Sequence, residues 1–196
     1  MNSNVKIVAV TKTFQVNKFN ILLNSGHIHF GENKVQEAVE KWSDLKLKFE
    51  NIKLHMIGKL QTNKVKFILP LFDYIHSLDS EKLAKKISDE QKKLNKKPKI
   101  FIQINIGNED QKSGINKENL KEFYMNCKKL ELDIIGLMCI PPNEKNSSKF
   151  FKEMNDLNQN LNLKELSMGM SSDYIDAAKN SATFLRIGSK IFGKRS

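Results

Sequence analysis

The chain has little of what would mark several large classes of protein. It contains two cysteines, Cys127 and Cys139, too few for a disulfide framework or for a metal site of their own. Two reduced thiols are expected, as in intracellular chains. No apolar run approaches the length that spans a bilayer. The N-terminus, MNSNVKIVAV, has a short apolar stretch that leads straight into polar Thr11-Lys12-Thr13; this is unlike a signal peptide, and a cytoplasmic location is expected. Only nine Gly and four Pro occur in 196 residues. No Gly/Ser linker or low-complexity tract divides them, which predicts one domain over residues 1–196. Aromatic–basic interleaving and RNA-binding signatures are absent too. That absence matters because the formal net charge is +11. The lysines are spread among Glu, Asp and Asn, and the densest group, KKLNKKPK at 92–99, closes a predicted helix where the macrodipole favours cations. Such charge permits loose polyanion binding without pointing to a dedicated nucleic-acid or membrane partner.

What the sequence does have is alternation from end to end. Short apolar or β-branched runs occur at Val5–Val10, His27–Phe30, Lys53–Ile57, Tyr74–Ser77, Ile100–Asn105, Ile134–Met138, Glu165–Met168 and Phe184–Ile187. They are nearly continuous rather than alternating, as strands covered on both faces should be. Between them lie helical patterns at about 17–25, 32–48, 60–69, 80–96, 116–130, 145–162 and 172–181. Ser80 and Asn116 each stand just before a run with apolar residues at helical spacing, as capping residues do. Glu32, Glu81 and Glu118 are expected in first turns, where negative charge is favoured. Eight β/α units in this length predict a closed parallel (β/α)8 barrel of the TIM type. An open doubly wound sheet is the alternative, but it usually carries a Gly-rich first turn, and the first turn here is TKTF. The short tail after Ile187 leaves no room for an eighth helix.

In such a barrel the chemistry sits at the C-terminal ends of the strands, with phosphate commonly bound after the seventh and eighth. Lys12 follows the first strand with the parity of Val8 and Val10, so its amine can extend over the barrel mouth. Lysine is the side chain of Schiff-base chemistry; a solvated strand-end lysine is the plainer alternative. After the seventh strand comes Met168-Gly169-Met170-Ser171-Ser172-Asp173, whose small residues and hydroxyls suit an anion. Helix capping by Ser171 or Ser172 explains the same residues. The eighth strand ends Arg186-Ile187-Gly188-Ser189: Gly188 permits close backbone approach and Ser189 adds a donor. Arg186 requires an anion or a salt-bridge partner if buried. A phosphate cup opposite a Schiff-base lysine suggests a phosphorylated aldehyde, either pyridoxal 5'-phosphate (PLP) or a sugar phosphate.

The segments VAVTKT, HFGENKVQEA, HMIGKLQTNK, IHSLD, FIQINIGNEDQKSG, GLMCI, LSMGMSSDYIDAA and FLRIGSKIFG occur in order along nearly the whole chain. Together they resemble the YggS/PROSC family of PLP homeostasis proteins, similar in fold to the barrel domain of alanine racemase. The resemblance implies that Lys12 carries PLP as a Schiff base, that Ser171, Gly188 and Ser189 hold its phosphate, that Arg186 faces the pyridine nitrogen and that Asn33 lies beside the ring. Ser172 is a weaker helix-side neighbour. It also implies a role in storing, buffering or delivering PLP, as a monomer, to PLP-dependent apo-enzymes and without robust catalysis. A weak PLP-dependent racemase or lyase is the alternative. The racemase family takes its second acid/base group from a C-terminal β domain for which this chain leaves no residues.

Two departures from the family pattern stand out. The usual helix before the first strand is missing, which predicts a less covered seam between the eighth and first strands. Asn180-Ser181-Ala182-Thr183 stands where the family commonly reads like AGST, and this could shift the aim of Arg186. His27, His29, His55 and His76 are expected to be ordinary strand residues with no metal. Lys64 is either a further residue of the barrel mouth or a solvated helix lysine, and Trp42 is expected in the core or a half-exposed groove.

Overall fold

Short runs of Val, Ile, Leu and Phe, buried on both faces, form the strands of this protein, and the amphipathic segments between them form the outer helices. The structure is a computed structural model and describes residues 5–109, 111–142 and 147–193. Its strands are β1 (Lys6–Val10), β2 (His29–Glu32), β3 (Lys53–Met56), β4 (Tyr74–Leu78), β5 (Lys99–Ile104), β6 (Asp133–Cys139), β7 (Glu165–Ser167) and β8 (Phe184–Ile187). All neighbours pair in parallel, and β8 returns to β1, so the sheet closes into an eight-stranded barrel. The helices are α1 (Val16–Asn24), α2 (Val35–Lys48), α3 (Val65–Ile68), α4 (Glu81–Leu94), α5 (Leu120–Lys129), α6 (Ser148–Asn160), α7 (Tyr174–Lys179) and α8 (Ser189–Phe192). The (β/α)8 barrel expected from the sequence is the fold observed. The predicted start of the sixth helix at 145 lies outside the described residues.

The core has two layers. Phe19, Phe30, Trp42, Ile68, Phe72 and Phe151 fill the space between barrel and helices with many smaller apolar side chains. Trp42 is fully buried and stacks on Phe19 at 5.3 Å between ring centroids. Inside the barrel a smaller group, Val8, Tyr74, Phe101, Met138 and Phe184, packs about the axis. Each fully buried large apolar side chain contributes roughly 1.5–3 kcal/mol. Both cysteines are buried and reduced, and burial pushes each thiol up to about 12.

Several local expectations are corrected. Ser80 caps α4 by accepting from the Leu83 N–H, but Asn116 makes no side-chain cap and precedes a 3-10 turn at Lys117–Asn119. Glu32 is not in a helical first turn: it ends β2 with no exposed surface. Its Oε1 takes hydrogen bonds from Thr11 just after β1 and from Lys41 and Trp42 on α2, while Oε2 is buried with no partner among the described residues. An eighth helix does form. It is a single turn, Ser189–Phe192, and Phe192 packs against Phe14 at 5.1 Å. At the β8–β1 seam four residue pairs align, from Lys6 with Phe184 to Ala9 with Ile187, and Ile7 on its outer side is 44% exposed.

The altered turn before β8 keeps its geometry. Ser181, where the family pattern has glycine, adopts φ +69°. Thr183 ties the turn to β7, its Oγ1 accepting from the Leu166 N–H at 2.8 Å. β8 enters in register, with Ser167 opposite Phe184, and the Arg186 N–H donates to the Gly169 carbonyl at 3.0 Å.

Candidate functional site

The C-terminal ends of the strands surround a cavity of about 610 Å³, within the range of small-molecule sites. Lys12, Asn33, Ser171, Ser172, Arg186, Gly188 and Ser189 all line it. Lys59 and Lys112 join them, so the wall carries four cations and no described carboxylate. Such a wall selects for anions. Of the two readings of Lys64 the mouth position is not the one observed: its amine lies over the Phe67 ring at 5.8 Å, and Lys59 lines the mouth instead.

Lys12 sits at the end of β1 on a backbone fixed from both sides. Before it, the Thr11 hydroxyl donates to Glu32 Oε1 at 2.7 Å, and the Thr11 carbonyl accepts from Lys41 Nζ at 2.9 Å. After it, the Thr13 N–H donates to Glu37 Oε1. Lys41 joins the two carboxylates, with 2.9 Å contacts to Glu32 Oε1 and Glu37 Oε1, and Trp42 Nε1 donates to the same Glu32 oxygen. Burial would raise the Glu37 carboxyl, but the Lys41 and Thr13 hydrogen bonds outweigh it and hold Glu37 below the usual carboxylate range. Thr13 itself adopts φ +68°, an uncommon conformation for a β-branched residue. The network thus holds a strained residue next to the candidate nucleophile.

The opposite side of the mouth is built by β7, β8 and the turns after them. Ser171 does not cap α7; that position belongs to Asp173, whose Oδ1 accepts from the Met170 N–H at 2.6 Å. Ser171 Oγ instead accepts from the N–H groups of Gly188 and Lys190 at 3.3 Å each. Two donors at the start of α8 and a hydroxyl therefore converge, the arrangement that suits phosphate oxygens. Gly169 adopts φ +90°, and an added Cβ would meet that of Ala177 at 2.5 Å, so this turn requires glycine. Arg186 is only 4% exposed; its Nη1 donates to Ser167 Oγ at 2.7 Å and its Nη2 to the Cys139 carbonyl at 2.8 Å. No carboxylate among the described residues pairs with it, so the salt-bridge alternative raised from the sequence fails.

Asn33 supplies a further sign of a ligand. Its Oδ1 is buried with no hydrogen-bond partner among the described residues. The β3 end closes over it: a Cβ at Gly58 would meet the Asn33 carbonyl oxygen at 2.2 Å. A cationic wall, convergent phosphate donors, an orphaned acceptor and a lysine amine together fit a phosphorylated aldehyde such as PLP.

Sequence reasoning missed the histidines. His29 Nδ1 meets His55 Nε2 at 2.9 Å, His55 Nδ1 meets His76 Nε2 at 2.9 Å, and His76 Nδ1 meets Ser167 Oγ at 2.7 Å. They form one chain through the barrel interior, ending on the serine that holds Arg186. The signal was present: three consecutive strands, β2, β3 and β4, each carry a histidine, His29, His55 and His76. Their contact depends on register, which no single strand reveals.

The class of protein follows from a racemase-type barrel with this mouth. The family described as alanine racemase, N-terminal domain, matches residues 1–196. Alanine racemase of Clostridium difficile superposes with a TM-score of 0.76 at 18% identity, covering 100% of this chain and 54% of that one, a likeness of fold. Nearer relatives narrow the assignment. A pyridoxal phosphate homeostasis protein of Aquifex aeolicus is 36% identical over 97% of this chain and 87% of its own length. That of Haemophilus influenzae is 36% identical over 98% and 86%. PipY of Synechococcus elongatus, solved with PLP bound, superposes with a TM-score of 0.91 at 31% identity, covering 98% of this chain and 94% of PipY. The chain belongs to the family of pyridoxal phosphate homeostasis proteins.

Proposed function

We propose that this protein binds PLP as a Schiff base on Lys12 and stores, buffers or delivers it in the cytoplasm. In this reading it works as a monomer, hands the cofactor to PLP-dependent apo-enzymes, and has no robust catalysis of its own. The observation that carries the reading is the single cavity onto which Lys12, Arg186 and the Ser171–Gly188–Ser189 cup all face. The names of the curated relatives and the PLP found in PipY support it. Among the described residues no helix is long and apolar enough to cross a membrane.

The chemistry that PLP brings is an electrophilic aldehyde on a phosphorylated pyridine. The protein's part is to hold and orient. Lys12 supplies the amine, and the Glu32–Lys41–Glu37 network fixes the backbone from which that amine extends. Ser171, Gly188 and Ser189 would hold the phosphate, and Asn33 would lie beside the ring. Arg186 places a fixed positive charge toward the pyridine nitrogen, which disfavours ring protonation and makes PLP a poorer electron sink. Exchange of one amine for another at the aldehyde needs no such sink. No Tyr, His, Asp or Glu is among the described residues of the wall to serve as a second acid/base group. Storage is therefore favoured over racemisation.

The direct test is absorption spectroscopy with borohydride trapping. Purified protein plus PLP should give a visible Schiff-base band, and reduction should leave a pyridoxyl adduct mapped by mass spectrometry to the Lys12 peptide. Lys12→Ala should lose both; an unchanged band or an adduct elsewhere would refute the assignment. Lys59 and Lys112 on the wall keep a weak racemase or lyase as the second reading. Chiral analysis of amino acids incubated with the loaded protein decides it: turnover well above that of free PLP would overturn the storage reading.

A further inference from the structure

A buried guanidinium normally finds a carboxylate, because leaving a buried cation uncompensated is costly. Arg186 instead donates to a serine hydroxyl and a backbone carbonyl. Behind that serine stand three imidazoles in series, each ring nitrogen contact 2.9 Å long. Barrel register builds the series. His29 on β2 aligns with Lys53, and His55 lies two residues further along β3; His55 aligns with Tyr74, and His76 lies two residues further along β4. Each step climbs about 7 Å along the strand direction. Arg186 likewise lies two residues beyond Phe184, the register partner of Ser167.

Hydrogen-bond accounting gives the chain a direction. Ser167 Oγ has one proton, and its two contacts are Arg186 Nη1 and His76 Nδ1. Arginine can only donate, so the hydroxyl oxygen accepts from it. The serine proton then has one acceptor among these contacts, His76 Nδ1. A neutral His76 with Nδ1 accepting carries its proton on Nε2, which donates to His55 Nδ1. The same step repeats from His55 Nε2 to His29 Nδ1. His29 is partly exposed, at the opposite end of the chain from Arg186. The reverse direction would leave the serine proton without an acceptor among these contacts. Every ring therefore shares one tautomer, and every dipole points away from the cation. Such a chain is polarised cooperatively by the charge at its head.

We propose that Ser167, His76, His55 and His29 form a one-directional chain of neutral hydrogen bonds that fastens Arg186 in place of a carboxylate, making these four residues positioning residues for the cation at the cofactor pocket. A carboxylate partner would hold the guanidinium equally well but would cancel its charge. The neutral chain orients the fork and leaves the charge for the ring nitrogen. This purpose rests on the PLP reading above; the chain itself does not.

Two measurements test it. The first uses the full-length nitrogen-15-labelled protein without PLP, near neutral pH. Long-range proton–nitrogen spectra should show His29, His55 and His76 as neutral Nε2–H tautomers, assigned by single substitution. An Nδ1–H tautomer or an imidazolium at any of the three overturns the directed chain. The second compares PLP affinity and the pH profile of the visible band in Ser167→Ala and Ser167→Thr. Loss of a hydrogen bond to a charged group should weaken PLP about 10-fold in Ser167→Ala and move the pH profile. Ser167→Thr, which retains the hydroxyl, should restore both. If Ser167→Ala still forms the Lys12 adduct with unchanged affinity and profile, the positioning role is refuted while the PLP reading stands. If wild-type protein forms no Lys12 adduct, the PLP reading fails, and the imidazole spectra still decide the chain.

Discussion

The β1–β2 corner and the β7–β8 corner each present one cation, Lys12 and Arg186, to the same cavity, and their supports differ in kind. At the first corner the charges are in the support: Lys41 bridges Glu32 and Glu37, and the three secure the backbone on either side of Lys12. At the second corner the support is neutral, and it grips the side chain of Arg186 itself. The difference matches the roles proposed for the two cations. On the proposed reading, an amine that forms and releases a covalent bond needs a fixed root. A guanidinium that acts only by its field needs a fixed tip with no neutralising partner.

The largest expected effect comes from removing the charged support. Glu32→Ala leaves Lys41, whose side chain is 9% exposed, with Glu37 as its one remaining carboxylate partner, and strips the buried Thr11 hydroxyl and Trp42 N–H of their acceptor. Breaking such a buried pair should cost about 4 kcal/mol in chemical denaturation. Formation of the Schiff-base band should also slow, whereas the imidazole spectra of the second corner should be unchanged. Changes at both corners would break the comparison.

Acid probes the neutral support. Burial, with help from His27, Lys6 and Lys53 and against Asp73, lowers His29 to about 4. Burial lowers His55 well below 6.5, aided by His76, His29, Lys46 and His27, and lowers His76 likewise, aided by Arg186 and His29. In the unfolded chain all three titrate near 6.5. Below that pH the unfolded state binds more protons, so stability falls as pH drops from about 6.5 towards 4. Each histidine that stays neutral adds a slope of roughly 1.4 kcal/mol per pH unit. Unfolding midpoints measured across this range should decline more steeply in wild type than in His76→Phe. Equal slopes would mean that His76 does not stay neutral in the folded protein.

Smaller effects sharpen the two corners separately. Ser171→Ala removes one hydroxyl from the phosphate cup and should weaken PLP about 5-fold by titration, with the Lys12 adduct retained. Thr13→Gly relieves the positive φ at the first corner. It should change stability by less than about 1 kcal/mol, the relief being offset by greater freedom of the unfolded chain. A large loss there would mean that the threonine side chain has a role beyond its backbone.

The fold was legible because strands buried on both faces leave near-continuous apolar runs that composition alone reveals. All eight runs became strands, though β2 formed two residues later than its pattern suggested. That shift has a physical cause: the strand ends on buried Glu32, and the partners that stabilise it, Lys41 and Trp42, lie a helix away. One-turn α8 escaped notice because four residues carry no periodicity. At the site, short motifs placed Lys12, Ser171 and Arg186 at the right strand ends. Lys59 and Lys112 and the histidine chain were not legible, since loop paths and inter-strand register set them. Period-two and period-3.6 patterns report on a residue's own element and say little about which residue lies opposite.

The contact between Phe14 and Phe192 joins these corners on the outside of the cavity. One ring follows the turn after Lys12 and the other closes the helix after Ser189, so they act like the pin of a pair of calipers. The gap between the amine and the phosphate cup is thereby set by hydrocarbon packing before any guest arrives. On the storage reading, that spacing is a seat made ready in advance for the guest's two ends.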